Sequence, residues 1–222
     1  MGKMIELTAA DGHKFSAYRC EPSGKPKGAL IVVMEIFGVN SHIRNVTDEF
    51  AADGYLAIAP ASFDRVQPGL DVGYTPPDIE IARGLMQKMK FDDALKDVTA
   101  AMKNVASAGK TGIVGYCWGG TVAWKAACNL TGLACSVPYY GGGIPGFIAE
   151  QPKCPVMFHW GETDQSIPLA KSKEVAAAHP GQIHHFYPAG HGFNCDQRGS
   201  YNADSSTLAR SRTLEFLAKH VG

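Results

Sequence analysis

Two kinds of apolar patterning succeed one another along the chain. Around Met4 to Thr8 and His13 to Cys20, apolar and polar residues alternate, with Ala-Ala-Asp-Gly between them. That pattern predicts a strand, a turn and a strand, forming an N-terminal hairpin at a sheet edge. After Pro22-Ser23-Gly24-Lys25-Pro26 comes a continuous apolar run, Ala29 to Met34, the signature of a strand buried on both faces. Shorter apolar strands are expected at Tyr55 to Ala59, Thr111 to Gly115, Leu133 to Tyr139, Pro155 to Trp160 and Gln182 to Tyr187. Helical segments are expected at Ile43 to Ala52, Asp92 to Ala106, Thr121 to Asn129, Leu169 to Ala178 and Asp204 to His220. The last of these carries Leu208, Leu214, Phe216 and Leu217 as its apolar stripe. Strands alternating with helices predict an open, mostly parallel α/β sheet with crossover helices on both faces. A length of 222 residues suits a single domain covering 1–222. The Pro/Gly-rich segment Phe63 to Asp78 reads as an excursion above the sheet, the kind of loop that walls a site.

Within this framework Gly115-Tyr116-Cys117-Trp118-Gly119-Gly120 falls between a strand and a helix. Gly-x-Cys-x-Gly has the spacing of a nucleophile elbow with sulfur in place of oxygen. The sharp turn crowds the residues two before and two after the nucleophile, so Gly115 and Gly119 are needed there for want of a Cβ. The following helix directs its positive end at Cys117, which favours a thiolate and a developing oxyanion. A buried thiol beside a tight glycine turn is the plainer reading, and five other cysteines keep it in view.

An elbow of this kind draws its acid and histidine from loops after later strands. Asp164 follows one such strand in Gly161-Glu162-Thr163-Asp164, and His191 follows another in Ala189-Gly190-His191-Gly192-Phe193. Glu162 lies nearer its strand end, and His184 and His185 lie within a strand, so Asp164 and His191 are preferred. Glu35 directly follows the buried run, at the sheet edge where ligands bind; a helix-capping or loop-anchoring role fits its spacing equally.

Charge narrows the partners. With 21 basic and 21 acidic residues there is no global field for nucleic acid or an anionic membrane. No apolar run reaches the length of a signal peptide or membrane span, and a cytoplasmic protein is expected. The six cysteines include no Cys-x-x-Cys pair, so neither a zinc site nor a disulfide framework is indicated. Gly109-Lys110-Thr111 is not a phosphate loop, because Asn104 stands where that motif requires glycine and the tripeptide precedes its strand.

Glu35-Ile36-Phe37-Gly38-Val39-Asn40, the Gly115 to Gly120 block, Tyr139-Tyr140-Gly141 and Ala189 to Phe193 together resemble the signature of dienelactone hydrolases, and the similarity runs nearly the whole chain. The resemblance implies an α/β-hydrolase fold without a large cap and a triad of Cys117, His191 and Asp164. It implies hydrolysis of the enol lactone 4-carboxymethylenebut-2-en-4-olide to maleylacetate, with no cofactor or metal. It also implies that Glu35 contacts the resting thiol and takes part in its activation. The backbone N–H groups of Ile36 and Trp118 are the expected oxyanion donors. Family members bind the substrate carboxylate with arginines, one of them four residues after the histidine, where this chain has Cys195. Arg198, three positions further on, and Arg83, in a helix after the Pro/Gly segment, are the candidates here, with surface charge as the alternative for each. Among the aromatics Phe37 and Tyr139 are expected to line the pocket, in preference to Tyr74 and Trp118. Small lactones or esters are the expected partners. The competing readings are a cysteine-dependent esterase or thioesterase on other small esters, and a non-catalytic ligand-binding or thiol-sensing member of the fold.

Overall fold

A computed structural model describes residues 1–222. Its strands are β1 (Lys3–Thr8), β2 (Lys14–Cys20), β3 (Ala29–Val33), β4 (Leu56–Pro60), β5 (Thr111–Tyr116), β6 (Leu133–Tyr139), β7 (Met157–Gly161) and β8 (Ile183–Tyr187). They form one eight-stranded sheet in the order β1-β2-β4-β3-β5-β6-β7-β8. The expected hairpin pairs β1 with β2, β2 joins β4 antiparallel, and every other neighbouring pair is parallel. The continuous apolar runs occupy the centre: every residue of β3, β4 and β5 is buried.

The helices are α1 (Ser41–Ala52), α2 (Pro76–Met86), α3 (Phe91–Val105), α4 (Trp118–Asn129), α5 (Leu169–Ala178) and α6 (Ala203–His220). From β3 the chain passes through α1 to β4 on one side; from β5 it passes through α4 to β6 on the other. Right-handed crossovers moving in opposite directions place α1 and α4 on opposite faces of the sheet. Arg210 of α6 ties that helix to Asp53 at the end of α1, while α3 packs against α4. The strand order reverses at β3, so the carboxyl ends of β3 and β5 flank the crevice where open α/β sheets bind ligands.

All expected strands and helices are present within a few residues. The excursion between β4 and α3 differs from a plain loop. Ser62–Arg65 form a short 3-10 turn, and α2 begins at Pro76, inside the Pro/Gly-rich segment. Thr75 and Asp78 cap α2 reciprocally, and Pro76 occupies its first turn, where a missing N–H costs nothing. The Asp64 carboxylate accepts from the amides of Ser16 at 2.8 Å and Gly69 at 2.9 Å, fixing the start of the excursion. Arg65 next to it donates from Nη2 to the buried Asp97 at 2.7 Å and from Nη1 to Asp11 at 3.0 Å.

Burial raises the Asp97 carboxyl to about 6 despite the neighbouring Arg65 guanidinium. Arg65→Met would leave that carboxylate buried and unpaired, at an expected loss of about 3–5 kcal/mol near pH 8. Without Arg65 the buried carboxyl would hold its proton to higher pH than in wild type, so the loss should shrink as pH falls from 8 towards about 6 and level off below it. Urea unfolding of both proteins at pH 8 and pH 5 measures it, and an equal loss at both values would contradict the burial argument.

Candidate active site

β5 ends at Tyr116 and α4 begins at Trp118, which leaves Cys117 alone in the turn with φ 54° and ψ −116°. A non-glycine residue in such a conformation is strained by about 1–3 kcal/mol. Close packing holds it there. A Cβ on Gly115 would collide with the Gly119 carbonyl, one on Gly119 with the carbonyl oxygens of Val33 and Met34, and one on Gly120 with that of Tyr139. Three glycines thus let the first turn of α4 press against the ends of β3 and β6, and the Cys117 N–H donates to the Tyr139 carbonyl at 3.1 Å. Gly115 and Gly119 were expected in this role; Gly120 is an addition.

Cys117, His191 and Asp164 meet in this turn. Cys117 Sγ lies 3.1 Å from His191 Nε2, and His191 Nδ1 lies 2.8 Å from Asp164 Oδ2. The second Asp164 oxygen accepts from the Ser166 and Ile167 amides at 2.7 and 3.0 Å, so the buried carboxylate is fixed by backbone on one side and imidazole on the other. Glu162 is exposed, while His184 and His185 remain in β8, where His184 stacks on Phe158 and His185 on His159. Burial opposes a charge on His191, but Cys117 and Asp164 outweigh it and hold the imidazole up to about 10.

Two residues with unpaired backbone amides border the same space. Ile36 N–H takes no part in the backbone hydrogen bonding, and Trp118, as the first residue of α4, has no intrahelical acceptor. A cavity of about 460 Å³ opens over Cys117, His191, Ile36 and Trp118, with Phe37, Arg83 and Arg198 on its walls. Three of the four expected substrate-binding positions, Phe37, Arg83 and Arg198, therefore converge here with the two expected oxyanion residues.

Two expectations change. Tyr139 does not line this cavity: its hydroxyl bonds the Thr213 hydroxyl at 2.7 Å, and its ring stacks on His159 with centroids 4.3 Å apart. It faces a separate polar cavity of about 320 Å³ between α1 and α6, because strand alternation turns it to that side of the sheet. Glu35 does not bond the thiol either. Its Oε1 accepts from Arg198 Nη1 at 2.9 Å, and its buried Oε2 has no hydrogen-bond partner. The turn after His191 explains this, since Gly192, at φ 78°, occupies the place where a Cβ would strike the Arg198 guanidinium. Arg198 then crosses the rings of Phe37 and Tyr74, with 5.7 and 5.9 Å to their centroids, and reaches Glu35.

The sequence reading passed over Ile79, Met86, Met89 and Phe91, which also line the cavity. The Thr75-x-x-Asp78 capping box was the available signal for α2, which carries two of them.

The dienelactone hydrolase family model matches residues 15–221. The chain belongs to the dienelactone hydrolase family. Carboxymethylenebutenolidase from Pseudomonas putida is 32% identical over 228 residues, spanning 96% of this chain and 95% of the relative. A provisionally named carboxymethylenebutenolidase from Synechocystis sp. is 37% identical over 208 residues, 84% of each chain. Among solved structures, a provisionally named dienelactone hydrolase from Klebsiella pneumoniae superposes with a TM-score of 0.83 at 28% identity, covering 98% of this chain and 99% of that one. The fold is accordingly an α/β-hydrolase fold with no large cap, and this dienelactone hydrolase family member is a hydrolase acting on ester bonds. No helix is long and apolar enough to cross a membrane.

With the Glu35 side chain only 1% exposed, Arg198→Met should destabilise this family member by about 3–5 kcal/mol, because the carboxylate keeps its burial and loses its cation. Adding Glu35→Gln should recover much of that loss. Urea denaturation of the two single variants and the double variant closes the cycle, and additive losses would refute the coupling.

Proposed function

We propose that this protein hydrolyses the ester bond of 4-carboxymethylenebut-2-en-4-olide, giving maleylacetate through a thioester on Cys117. The observation that carries the reading is the continuous hydrogen-bonded line from Cys117 through His191 to Asp164 at the floor of a cavity. The Cys117 thiolate attacks the lactone carbonyl, forming a C–S bond, and the carbonyl electron pair moves to an oxygen received by the Ile36 and Trp118 amides. Collapse restores the carbonyl and breaks the ring C–O bond. An enolate leaves, and His191 supplies its proton. Neutral His191 then takes a proton from water, whose oxygen attacks the thioester, and the C–S bond breaks to return the thiolate. Asp164 holds the His191 tautomer and stabilises its charged form.

Sulfur suits this leaving group. A stabilised enolate departs easily, so thiolate nucleophilicity at neutral pH is worth more than the basicity of an alkoxide. Arg198, assisted by Arg83 at the cavity rim, receives the substrate carboxylate, and Phe37 packs against the ring. Glu35 then contributes through Arg198: a substrate carboxylate competes for the guanidinium and loosens the Glu35 pair, instead of Glu35 bonding the thiol at rest.

Steady-state loss of the lactone absorbance for cis- and trans-dienelactone tests the reading. Wild type should turn over at least one isomer, Cys117→Ala neither, and Cys117→Ser should keep little activity because a hydroxyl ionises far less readily. Near-normal turnover by the serine variant would refute the thiolate mechanism. Since His191 is held up to about 10, kcat/KM should fall on the alkaline side as pH rises towards that value. Asp164→Asn removes one of the groups that raise it, so the limb should move to lower pH while kcat drops by about 10³–10⁴. An unmoved limb in that variant would show that another group titrates.

A further inference from the structure

Walls of two chemical kinds meet in the cavity over Cys117. Arg198 and Arg83 supply positive charge, and no aspartate or glutamate lines the space. Flanking Arg83 on α2, Ile79 and Met86 join Met89 of the following turn and Phe91 at the start of α3, all four only half-buried. Ile79, Arg83 and Met86 stand four and three residues apart, so they share one face of α2. Ala82 is the one fully buried residue of the helix, and Ile79 and Met86 pack only partly against the core. Phe91 is anchored differently, stacking on Trp118 with centroids 6.0 Å apart and edge-on to Phe147 at 5.4 Å. Half-exposed apolar side chains converging on a concave surface beside a nucleophile are arranged to contact a ligand. The cavity, at about 460 Å³, lies in the range that encloses drug-sized molecules, which is more room than a six-carbon lactone acid needs.

We infer that the enzyme accepts anionic esters carrying an apolar chain or ring larger than a butenolide, with the anionic group at Arg198 and the apolar arm against Ile79, Met86, Met89 and Phe91. This rests on the proposed ester hydrolysis and extends it to a substrate class. Unbranched methionine side chains adapt to arms of different shape, so the seat selects for apolar bulk more than for one outline. The open side of α2 gives a longer arm somewhere to go without displacing the carbonyl from Cys117.

Binding and turnover separate the two claims. Calorimetry on the Cys117→Ala protein with acetate, butyrate, hexanoate and octanoate reads the seat without chemistry. Affinity should rise by about three- to fourfold for each methylene buried. Met86→Gln and Ile79→Asn, each in that background, should flatten the series. Ile81→Gln, on the exposed side of the same helix, should leave it steep. In wild type, kcat/KM for the ethyl, butyl, hexyl and octyl monoesters of succinate, which keep a free carboxylate for Arg198, should climb in parallel. A flat series in Cys117→Ala would overturn the apolar seat whether or not esters are cleaved. A steep series unaffected by Met86→Gln and Ile79→Asn would overturn its assignment to α2. A steep, variant-sensitive series with no turnover of any ester or of dienelactone would keep the seat and overturn the hydrolytic reading.

Discussion

The approach of the first turn of α4 to the carbonyl ends of β3 and β6 is the constraint from which the site follows. At that distance no side chain fits at positions 115, 119 or 120, and the chain can enter α4 only through a residue at positive φ. Cys117 accepts that strain because the packing around it is stronger than the strain. In return its sulfur projects beyond the sheet edge, the Trp118 amide is left without an intrahelical acceptor, and the positive end of α4 faces the same point. The loops after β7 and β8 emerge along the same edge, so His191 reaches the sulfur and Asp164 reaches His191 with no unusual backbone of their own.

Two charge systems share this edge without merging. Asp164 has its oxygens taken by two amides and an imidazole, and that imidazole has its other nitrogen on Cys117. Glu35, buried a short distance away on the loop after β3, is held by Arg198. A buried carboxylate needs a cation, and the turn beginning at Gly192 delivers one across the rings of Phe37 and Tyr74. With its charge satisfied in this way, Glu35 makes no demand on the thiol proton, and the sulfur faces its histidine. The aromatic ring of Tyr140, itself at positive φ, closes the far side of His191 with centroids 5.2 Å apart.

The parts of this arrangement that depend on local chemistry were legible from residue order. Continuous apolar runs marked β3 to β6 because strands buried on both faces leave no polar alternation, and glycine spacing marked the elbow because only a missing Cβ permits that turn. Asp164 and His191 could be chosen because each follows a strand on a loop, whereas His184 and His185 sit within one. What escaped depended on direction in space. Tyr139 follows an apolar strand toward the site, and a strand fixes which of two faces each side chain takes, but sequence alone does not say which face holds the cavity. The partner of Glu35 lies 163 residues away, and no periodicity links them. The prolines and glycines of Phe63 to Asp78 point to an excursion with a helix only after it, around Arg83, although Thr75, Pro76 and Asp78 spell a helix start within that segment.

That helix matters because this hydrolase fold has no large cap to shape its substrate. The elbow cannot vary: Gly115, Gly119 and Gly120 are fixed by contacts among α4 and the ends of β3 and β6, and a change there would move Cys117 and the Trp118 amide together. Helix α2 is under the opposite constraint. It is started by its own capping box and contributes a single fully buried residue, with Ile79, Leu85 and Met86 packing only partly against the core, so its inner face can change at less cost to the sheet. On the proposed reading, chemistry and selectivity fall to parts of the chain with unequal freedom, a rigid turn for bond breaking and a more loosely packed helix for the shape of the substrate.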